Sequence, residues 1–320
     1  MLATIDSILK TKGNISVTFL LLIGYSYHNM AQTKQKIRKA IIAVAGSGTR
    51  FLPATKSQPK EMLPIVDKPI VQYVVEELVE SGIEDIILVT KWDKKTLEDH
   101  FDRSFELEHS LEAAGKLKVL GEIRKISSMA NFIYVRQKGP YGNGTPILSA
   151  ASLLHGEPFV FAWGDDLVLS KTPFTKKLIE NYHANGSPVI GVQKVPKHHV
   201  DRYGIVKLKH GTREMEHVVE KPHVDKAPSQ LAQFGRMVLT PEIVSILSET
   251  KLGKGGELWV TDAIAEYIKR GGRFMVEEVE DGKWLTTGDP LNYLKAMVDY
   301  ALEREDIGDD FRAHIKSLSL

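Results

Sequence analysis

The sequence contains no cysteine, which excludes disulfide cross-links and metal sites built on thiolates. It also lacks an excess of charge of either sign, because 42 lysine and arginine residues face 41 aspartate and glutamate residues, for a formal net charge of +1. A chain without a net field has no general attraction for nucleic acid or anionic lipid. We therefore predict neither a nucleic-acid nor a membrane partner, and any anionic ligand must be held by local side chains. The absence of cysteine fits a cytoplasmic location.

Long hydrophobic runs are missing as well. The apolar segment ISVTFLLLIGYSY, residues 15–27, is shorter than the about 20 residues that a membrane helix requires. It has the apolar character of a signal peptide, but no clear small-residue cleavage pattern follows it. Met30 begins a stretch that is typical of a natural start just before a first strand. We predict an N-terminal extension of uncertain role over residues 1–36, one domain over 37–305 and a C-terminal tail over 306–320.

From Lys39 onward, apolar strands alternate with amphipathic helices. Short runs of β-branched and aromatic residues predict buried strands at 39–45, 85–90, 131–136 and 158–163. Apolar residues spaced three and four apart predict helices at 69–82, 145–156 and 173–186, and a further helix in WVTDAIAEYI has Thr261 or Asp262 available as its N-cap. This order predicts an α/β fold, with a doubly wound, mostly parallel (mixed) sheet flanked by helices, in a Rossmann-like arrangement. Ligands of such sheets bind beyond the carboxyl ends of the strands.

A glycine-rich turn follows the first strand, in AGSGTRFLPATKSQPKEMLP, residues 45–64. Gly46 and Gly48 leave backbone N–H groups open to a phosphate, because no Cβ blocks its approach. The turn lacks the third glycine of a dinucleotide fingerprint and the Gly-Lys-Ser/Thr of a Walker loop. Arg50 and Lys60 follow instead, and these cations suit phosphate oxygens. A tight turn with solvated cations is the alternative, but its position after a buried strand favours a polyphosphate site.

Two carboxylates follow another buried strand, in FAWGDDLVL, residues 161–169. Mg²⁺ prefers hard oxygen ligands and keeps several waters, so that one or two carboxylates suffice to hold it. Asp165 and Asp166 are therefore the best carboxylate candidates for a divalent ion. An ordinary turn is the alternative reading of this triplet.

The segment from Ala43 to Thr90, including PATK, PKEMLP and DKP, resembles the signature of the sugar-nucleotide pyrophosphorylases, most closely of their bacterial uridylyltransferase branch. Further blocks follow in the family's order: YVRQKGPYGNGTPIL, WGDDLVL, YGIVK, VVEKP, GRMVLTPEI, GELWVTDAI and WLTTGDPLNYLKA. The resemblance implies a nucleotidyltransferase (glycosyltransferase-A-like) fold for residues 37–305. It implies nucleotidyl transfer from UTP to α-D-glucose 1-phosphate by in-line attack at the α-phosphate, which gives UDP-glucose and pyrophosphate. It also implies Mg²⁺ as cofactor and a homo-dimer or homo-tetramer.

The resemblance also implies roles for individual residues. Arg50 and Lys60 would stabilise the departing pyrophosphate, and Lys221 would orient the attacking phosphate. The nucleotide would contact Ala45, Gly46, Gly48, Thr49, Gln137, Gly142, Gly144 and Asp166. The sugar would contact Tyr203, Gly204, Glu220 and Glu257, and Asp165 would bind the metal. Each block also has a plain structural alternative, such as an exposed Glu-Lys pair in VVEKP or a loop whose glycines only permit positive φ in YGNGTP.

One position departs from the family pattern. The family usually has a second metal-binding aspartate two residues before the glycine of WLTTGDP, where this chain has Thr286. A hydroxyl is a poorer Mg²⁺ ligand than a carboxylate. Asp165 and substrate phosphates could hold the ion with extra waters, Asp289 or another acid could substitute, or catalysis could be weakened. Two alternative functions follow: the same chemistry with dTTP or another hexose 1-phosphate, and a non-catalytic sugar-nucleotide-binding regulator.

Overall fold

A β-sheet that includes the first predicted strand forms the centre of the described part of the protein. The computed structural model describes residues 36–318, so all of the predicted N-terminal extension except Lys36 lies outside the described residues. The strands are β1 (Lys39–Ala43), β2 (Pro64–Ile65), β3 (Lys68–Pro69), β4 (Asp85–Thr90), β5 (Asn131–Arg136), β6 (Phe159–Trp163), β7 (Asp166–Ser170), β8 (Val189–Lys194), β9 (Gly204–Leu208), β10 (Met215–Glu220), β11 (Leu231–Leu239), β12 (Met275–Glu278) and β13 (Gly282–Thr286).

In the described part of the chain, nine of these strands form one sheet. Seven of them follow the order β10-β9-β11-β6-β1-β4-β5, while β8 pairs with β11 and β12 pairs with β8. The pairs β1–β4, β1–β6 and β4–β5 are parallel, whereas β11 runs antiparallel to β6, β8 and β9. The predicted doubly wound, mixed α/β sheet is confirmed. The carboxyl ends of β1, β4, β5 and β6 consequently lie at one edge of the sheet.

Helices connect the strands and cover the sheet. They are α1 (Ile70–Glu80), α2 (Lys95–Phe101), α3 (Phe105–Ala113), α4 (Leu117–Ser128), α5 (Thr145–Leu154), α6 (Phe174–Asn185), α7 (Pro241–Glu249), α8 (Val260–Lys269), α9 (Pro290–Leu302) and α10 (Gly308–Ser317). Much of the predicted C-terminal tail is therefore helical. Within residues 36–318, none of these helices combines the length and the apolar character that a membrane crossing would need.

The two faces of the sheet are both buried, which explains the unbroken apolar sequence of β1. Ala40 and Ile42 pack in one core cluster and Ile41 packs in a second one, and all three side chains are fully buried. Alternate residues of a strand point to opposite faces, so a strand covered on both sides has no polar positions. The core thereby fixes β1 in the middle of the sheet, with the following loop at its edge.

The start of α8 corrects one prediction. We expected Thr261 or Asp262 to cap this helix, but it begins at Val260, and Trp259 occupies the N-cap position without a side-chain hydrogen bond. The Thr261 hydroxyl instead donates to Glu220 Oε2 over 2.8 Å. The Thr261 oxygen, which a cap would use as acceptor, accepts instead from the Gln233 amide over 2.7 Å.

Candidate active site

A cleft of about 370 Å³ opens at the carboxyl ends of β1, β5 and β6. This volume is within the range of small-molecule sites. Most of the predicted site residues line it: Ala45, Gly46, Arg50, Lys60, Gln137, Gly142, Asp165, Asp166, Tyr203, Gly204, Glu220, Lys221 and Glu257. Sequence blocks that are far apart in the chain therefore line one cleft.

Lys60 and Asp165 form an ion pair inside this cleft. Lys60 lies in a 3-10 turn of residues 60–62, and Asp165 lies two residues after the end of β6, so the ammonium meets the carboxylate at the edge of the sheet. Burial alone would lower the pKa of Lys60, but the carboxylates of Asp165 and Glu61 outweigh it and raise the pKa above its usual value. Lys60 therefore stays charged at neutral pH, as a cation that is to bind a phosphate must.

A second ion pair supports the same turn from below the surface. Lys94 Nζ lies 2.6 Å from Glu61 Oε2, and the two side chains are only 3% and 1% exposed. Burial raises the pKa of Glu61 and lowers that of Lys94, while their mutual attraction opposes both shifts. Because Glu61 is the neighbour of Lys60, this buried pair fixes the turn that presents the Lys60 ammonium.

The Gly-Asp-Asp turn is held by a fully buried arginine. Arg236 donates to the carbonyl oxygens of Asp166 over 2.9 Å and of Trp163 over 3.4 Å, and its guanidinium also pairs with Glu77 over 3.0 Å. The Asp166 carboxylate accepts a hydrogen bond from the Gly235 N–H over 2.9 Å, and burial raises the pKa of Asp166 to about 6. The turn that carries Asp165 is thus anchored on both sides by β11.

A small space bounded by three polar groups lies around Gly288. A Cβ added at this glycine would stand 3.3 Å from Asp165 Oδ2, 3.5 Å from Thr286 Oγ1 and 3.6 Å from Arg50 Nη1. Glycine therefore leaves room between two oxygen donors and a cation. Such a donor set fits a Mg²⁺ ion that takes its remaining ligands from water and phosphate oxygens. Asp165 would hold the ion directly and Thr286 would contribute at most a neutral oxygen.

Asp289, the acid that could substitute for the second aspartate, lies outside the lining of the cleft and makes other contacts. Its carboxylate caps α9 by accepting from the Asn292 N–H over 3.1 Å, and it pairs with Arg202 over 2.8 Å. These contacts occupy both carboxylate oxygens and hold the pKa of Asp289 below its usual range, against the opposing effect of burial. Within residues 36–318 there is no cluster of three or more histidine, aspartate or glutamate side chains that could hold a metal ion. Asp165 is one of five carboxylates that line the cleft, the others being Glu61, Asp166, Glu220 and Glu257.

Glu220 is the last residue of β10 and Lys221 follows it, and both residues line the cleft. Burial raises the pKa of Glu220, although the Thr261 hydroxyl donates to its carboxylate. Lys221 has a positive φ of 44°, and its N–H donates to the Tyr203 carbonyl over 3.0 Å. This conformation turns the Lys221 ammonium toward the cleft, 3.6 Å from Glu220 Oε1.

Gly142 and Gly144, the glycines of YGNGTP, pack closely against Leu258. Gly142 has a φ of +126°, and a Cβ there would stand 2.2 Å from the Leu258 carbonyl oxygen. The Gly144 N–H donates to the same oxygen over 2.9 Å. Gly144 therefore lies behind the cleft wall as a support, whereas Gly142 and Gln137 line it. Gly48 and Thr49 also lie outside the lining, and Gly48 accepts a hydrogen bond from the Thr55 hydroxyl over 2.7 Å.

The cleft also contains side chains to which the sequence assigned no role. They are Glu61, Tyr141, Asn143, Trp163, Arg202, Gln233, Trp259 and Trp284. Glu61 and Trp259 lie inside the blocks PKEMLP and GELWVTDAI, and Arg202 directly precedes Tyr203, so their position within these motifs is a signal for them. Gln233 lies inside the apolar strand β11, and no sequence pattern marks it.

Known proteins are similar to this chain in sequence and in fold. Residues 39–303 match the model of the nucleotidyl transferase family. A UTP–glucose-1-phosphate uridylyltransferase of Bacillus subtilis strain 168 is 44% identical over 287 residues, covering 89% of this chain and 98% of that protein. The structure of a UTP-bound UGPase from Acinetobacter baumannii is 39% identical with a TM-score of 0.81, covering 89% of this chain and 100% of that one. A UDP-glucose pyrophosphorylase solved with UDP-glucose is 40% identical with a TM-score of 0.76, covering 84% of this chain and 100% of that one. The predicted resemblance is confirmed, and the chain belongs to the nucleotidyl transferase family.

Proposed function

We propose that the protein transfers a uridylyl group from UTP to α-D-glucose 1-phosphate, releasing pyrophosphate and forming UDP-glucose. The observation that carries this proposal is the convergence of Lys60, Asp165 and Lys221 on one cleft at the carboxyl edge of the sheet. The names of the relatives support the choice of substrates. They describe a UTP–glucose-1-phosphate uridylyltransferase and proteins solved with UTP and with UDP-glucose.

The proposed reaction needs positioning and charge neutralisation more than covalent chemistry. The phosphate oxygen of glucose 1-phosphate attacks the α-phosphorus of UTP, and the bond to the β-phosphate oxygen breaks as pyrophosphate leaves. Arg50 and Lys60 line the cleft, and we assign them to the negative charge that develops on pyrophosphate, which cations would stabilise. Lys221 lines the same cleft, and we assign it to the attacking phosphate, which it would hold in line. A Mg²⁺ ion held by Asp165 would add positive charge beside the phosphates.

Two features of the cleft support a role for the other predicted residues. Gln137 offers an amide that can pair with the imide edge of uracil, and Gly142 lines the cleft without a side chain. Tyr203, Gly204, Glu220 and Glu257 line the same cleft, and we assign them to the hexose. We also propose residues 37–305 as the nucleotidyltransferase domain, Mg²⁺ as the metal, a homo-dimer or homo-tetramer as the assembly and the cytoplasm as the location.

The test is pyrophosphate release by the purified protein with UTP, glucose 1-phosphate and Mg²⁺. We expect Asp165→Asn and Lys60→Met to lower kcat by about 100-fold or more, the typical cost of removing one electrostatic contact to a transition state. Lys176→Met, which removes an exposed lysine of α6, is the matched control and should keep full activity. No pyrophosphate release by the unaltered protein, with Asp165→Asn behaving identically, would refute the proposal.

The same assay separates the alternative functions. With dTTP in place of UTP, we expect kcat/KM to be lower by about 10-fold or more, since the bases differ by one methyl group and dTTP also lacks the 2′-hydroxyl of UTP. A reversed preference would assign the chain to thymidylyl transfer, and a panel of hexose 1-phosphates tests the sugar in the same way. Tight calorimetric binding of UDP-glucose without any turnover would instead favour the regulator.

A further inference from the structure

Trp259 lies in the cleft wall against the side chain of Lys221. The Lys221 ammonium stands 4.1 Å from the centre of the Trp259 ring. An ammonium within about 6 Å of an indole face is attracted by the ring quadrupole, and tryptophan gives the strongest attraction of the aromatic residues. The ring therefore holds the cation to which the proposed reaction assigns the attacking phosphate.

Backbone contacts tie the two residues to the same loop. The Trp259 indole N–H donates to the Lys254 carbonyl over 2.9 Å, and the Lys254 ammonium donates to the Lys221 carbonyl over 3.3 Å. Lys254 thus bridges the indole and the backbone that carries the cation. These contacts hold the indole beside the segment that carries Lys221.

An aromatic face holds an ammonium less firmly than a carboxylate does. A cation and an aromatic ring attract each other by about 0.5 to 2 kcal/mol, whereas a desolvated carboxylate at contact distance would compete with a phosphate for the same cation. Glu220 is the carboxylate nearest to the Lys221 ammonium, but one of its oxygens already accepts from Thr261, and the other lies 3.6 Å away. The indole therefore orients the ammonium and leaves it available to an incoming anion.

We infer that Trp259 is a positioning residue that acts through Lys221 and sets the affinity for the phosphate attached to the sugar. This inference rests on the proposed function, because it requires Lys221 to contact that phosphate. Trp259 holds the ammonium in the direction of the cleft before the ligand arrives, so the ligand does not have to order a free lysine side chain. Truncating the ring should then weaken binding of sugar-phosphate ligands and leave binding of UTP unchanged.

A double-mutant cycle measured by calorimetry tests this inference without requiring turnover. The proteins are the unaltered chain, Trp259→Leu, Lys221→Met and the double variant, each titrated with UDP-glucose and with UTP. We expect Trp259→Leu to weaken UDP-glucose binding by about 2- to 30-fold, which corresponds to the 0.5 to 2 kcal/mol of the contact. In the Lys221→Met background the same change should have an effect of less than about 2-fold, because the ring then has no cation to position.

Two further variants distinguish the ring from its size and its N–H group. Trp259→Phe keeps an aromatic face and loses the hydrogen bond to Lys254, and we expect it to retain most of the affinity for UDP-glucose. Trp92→Leu is the matched control, because Trp92 is 85% exposed outside the cleft and its removal should change neither affinity. Melting temperatures of all variants show whether a loss of binding reflects unfolding.

Equal losses from Trp259→Leu in both backgrounds would overturn the inference, because the ring would then act on the ligand without Lys221. A loss in Trp259→Phe as large as that in Trp259→Leu would also overturn it. If the unaltered protein bound neither UTP nor UDP-glucose, the proposed function itself would fail. If it bound both and the cycle were additive, only the role of Trp259 would be rejected.

Discussion

Replacing Lys94 by methionine would leave the Glu61 carboxylate buried without its counter-charge. The two side chains are 3% and 1% exposed and their charged atoms are 2.6 Å apart, so neither can turn to water when its partner is removed. Breaking a buried pair in this way costs about 3 to 5 kcal/mol. We expect the free energy of unfolding of Lys94→Met to fall by that amount, a large fraction of the about 5 to 15 kcal/mol typical of a domain.

An exposed pair in the same protein provides the comparison. Lys207 Nζ lies 3.1 Å from Glu216 Oε1, and these side chains are 45% and 43% exposed. We expect Lys207→Met to cost no more than about 1 kcal/mol, because water replaces the lost partner. Each variant replaces a lysine by methionine, which removes one ammonium and keeps a side chain of similar length. The difference between the two losses of stability therefore reports the effect of burial.

Urea unfolding followed by circular dichroism measures all of these free energies. The double variant Glu61→Met/Lys94→Met removes both buried charges, and we expect it to recover most of the stability that Lys94→Met loses. We expect its rate of pyrophosphate release to be lower than that of the unaltered protein, because the Glu61–Lys94 pair that holds the turn of Lys60 is gone. A loss in Lys94→Met no larger than that in Lys207→Met, or additive losses in the double variant, would refute the reasoning from burial.

Two other predictions concern the metal and the pH dependence of stability. Thr286→Asp should tighten Mn²⁺ binding in the absence of nucleotide by about tenfold or more, measured by electron paramagnetic resonance, because it adds a carboxylate beside Asp165; no gain relative to Thr286→Asn would contradict this. Burial lowers the pKa of His100 below its ordinary 6.5, so the unfolded chain takes up the proton more readily. His100 contributes stability that is present above pH 6.5 and lost as the pH falls through its lowered pKa. We therefore expect urea unfolding to show that the unaltered protein loses stability relative to His100→Asn between pH 7.5 and 5.5, and parallel profiles would exclude the effect.

Local patterns in the sequence were sufficient for the elements around β1. The strands 85–90 and 131–136 have the predicted bounds, and the helices predicted at 69–82 and 145–156 end within two residues of α1 and α5. Each of these segments carries a continuous apolar run or an apolar stripe that a single-sequence pattern detects. The ligand-facing edge follows from them, because parallel strands direct their carboxyl ends to one side.

Contacts between distant segments could not be predicted in the same way. Nothing near Lys94 in the sequence indicates that it meets Glu61, and the two residues come together only when α2 packs near the turn that carries Lys60. The antiparallel direction of β11 likewise depends on its pairing with β6 and β8. Thr261 belongs to a residue type that often caps helices, but in the folded protein its hydroxyl donates to the distant Glu220 carboxylate.

The order of the strands in the sheet has a consequence for synthesis on the ribosome. β1 can pair with β4 soon after residue 90 has emerged from the ribosome. Its other neighbour, β6, is synthesised about 70 residues later, and the strand on the far side of β6, β11, is synthesised later still. Until then, the nascent chain exposes the open edge of its central strand and has no closed cleft. Early protection of that edge, by a chaperone or by rapid elongation, would therefore determine how much of the newly made protein reaches its native form.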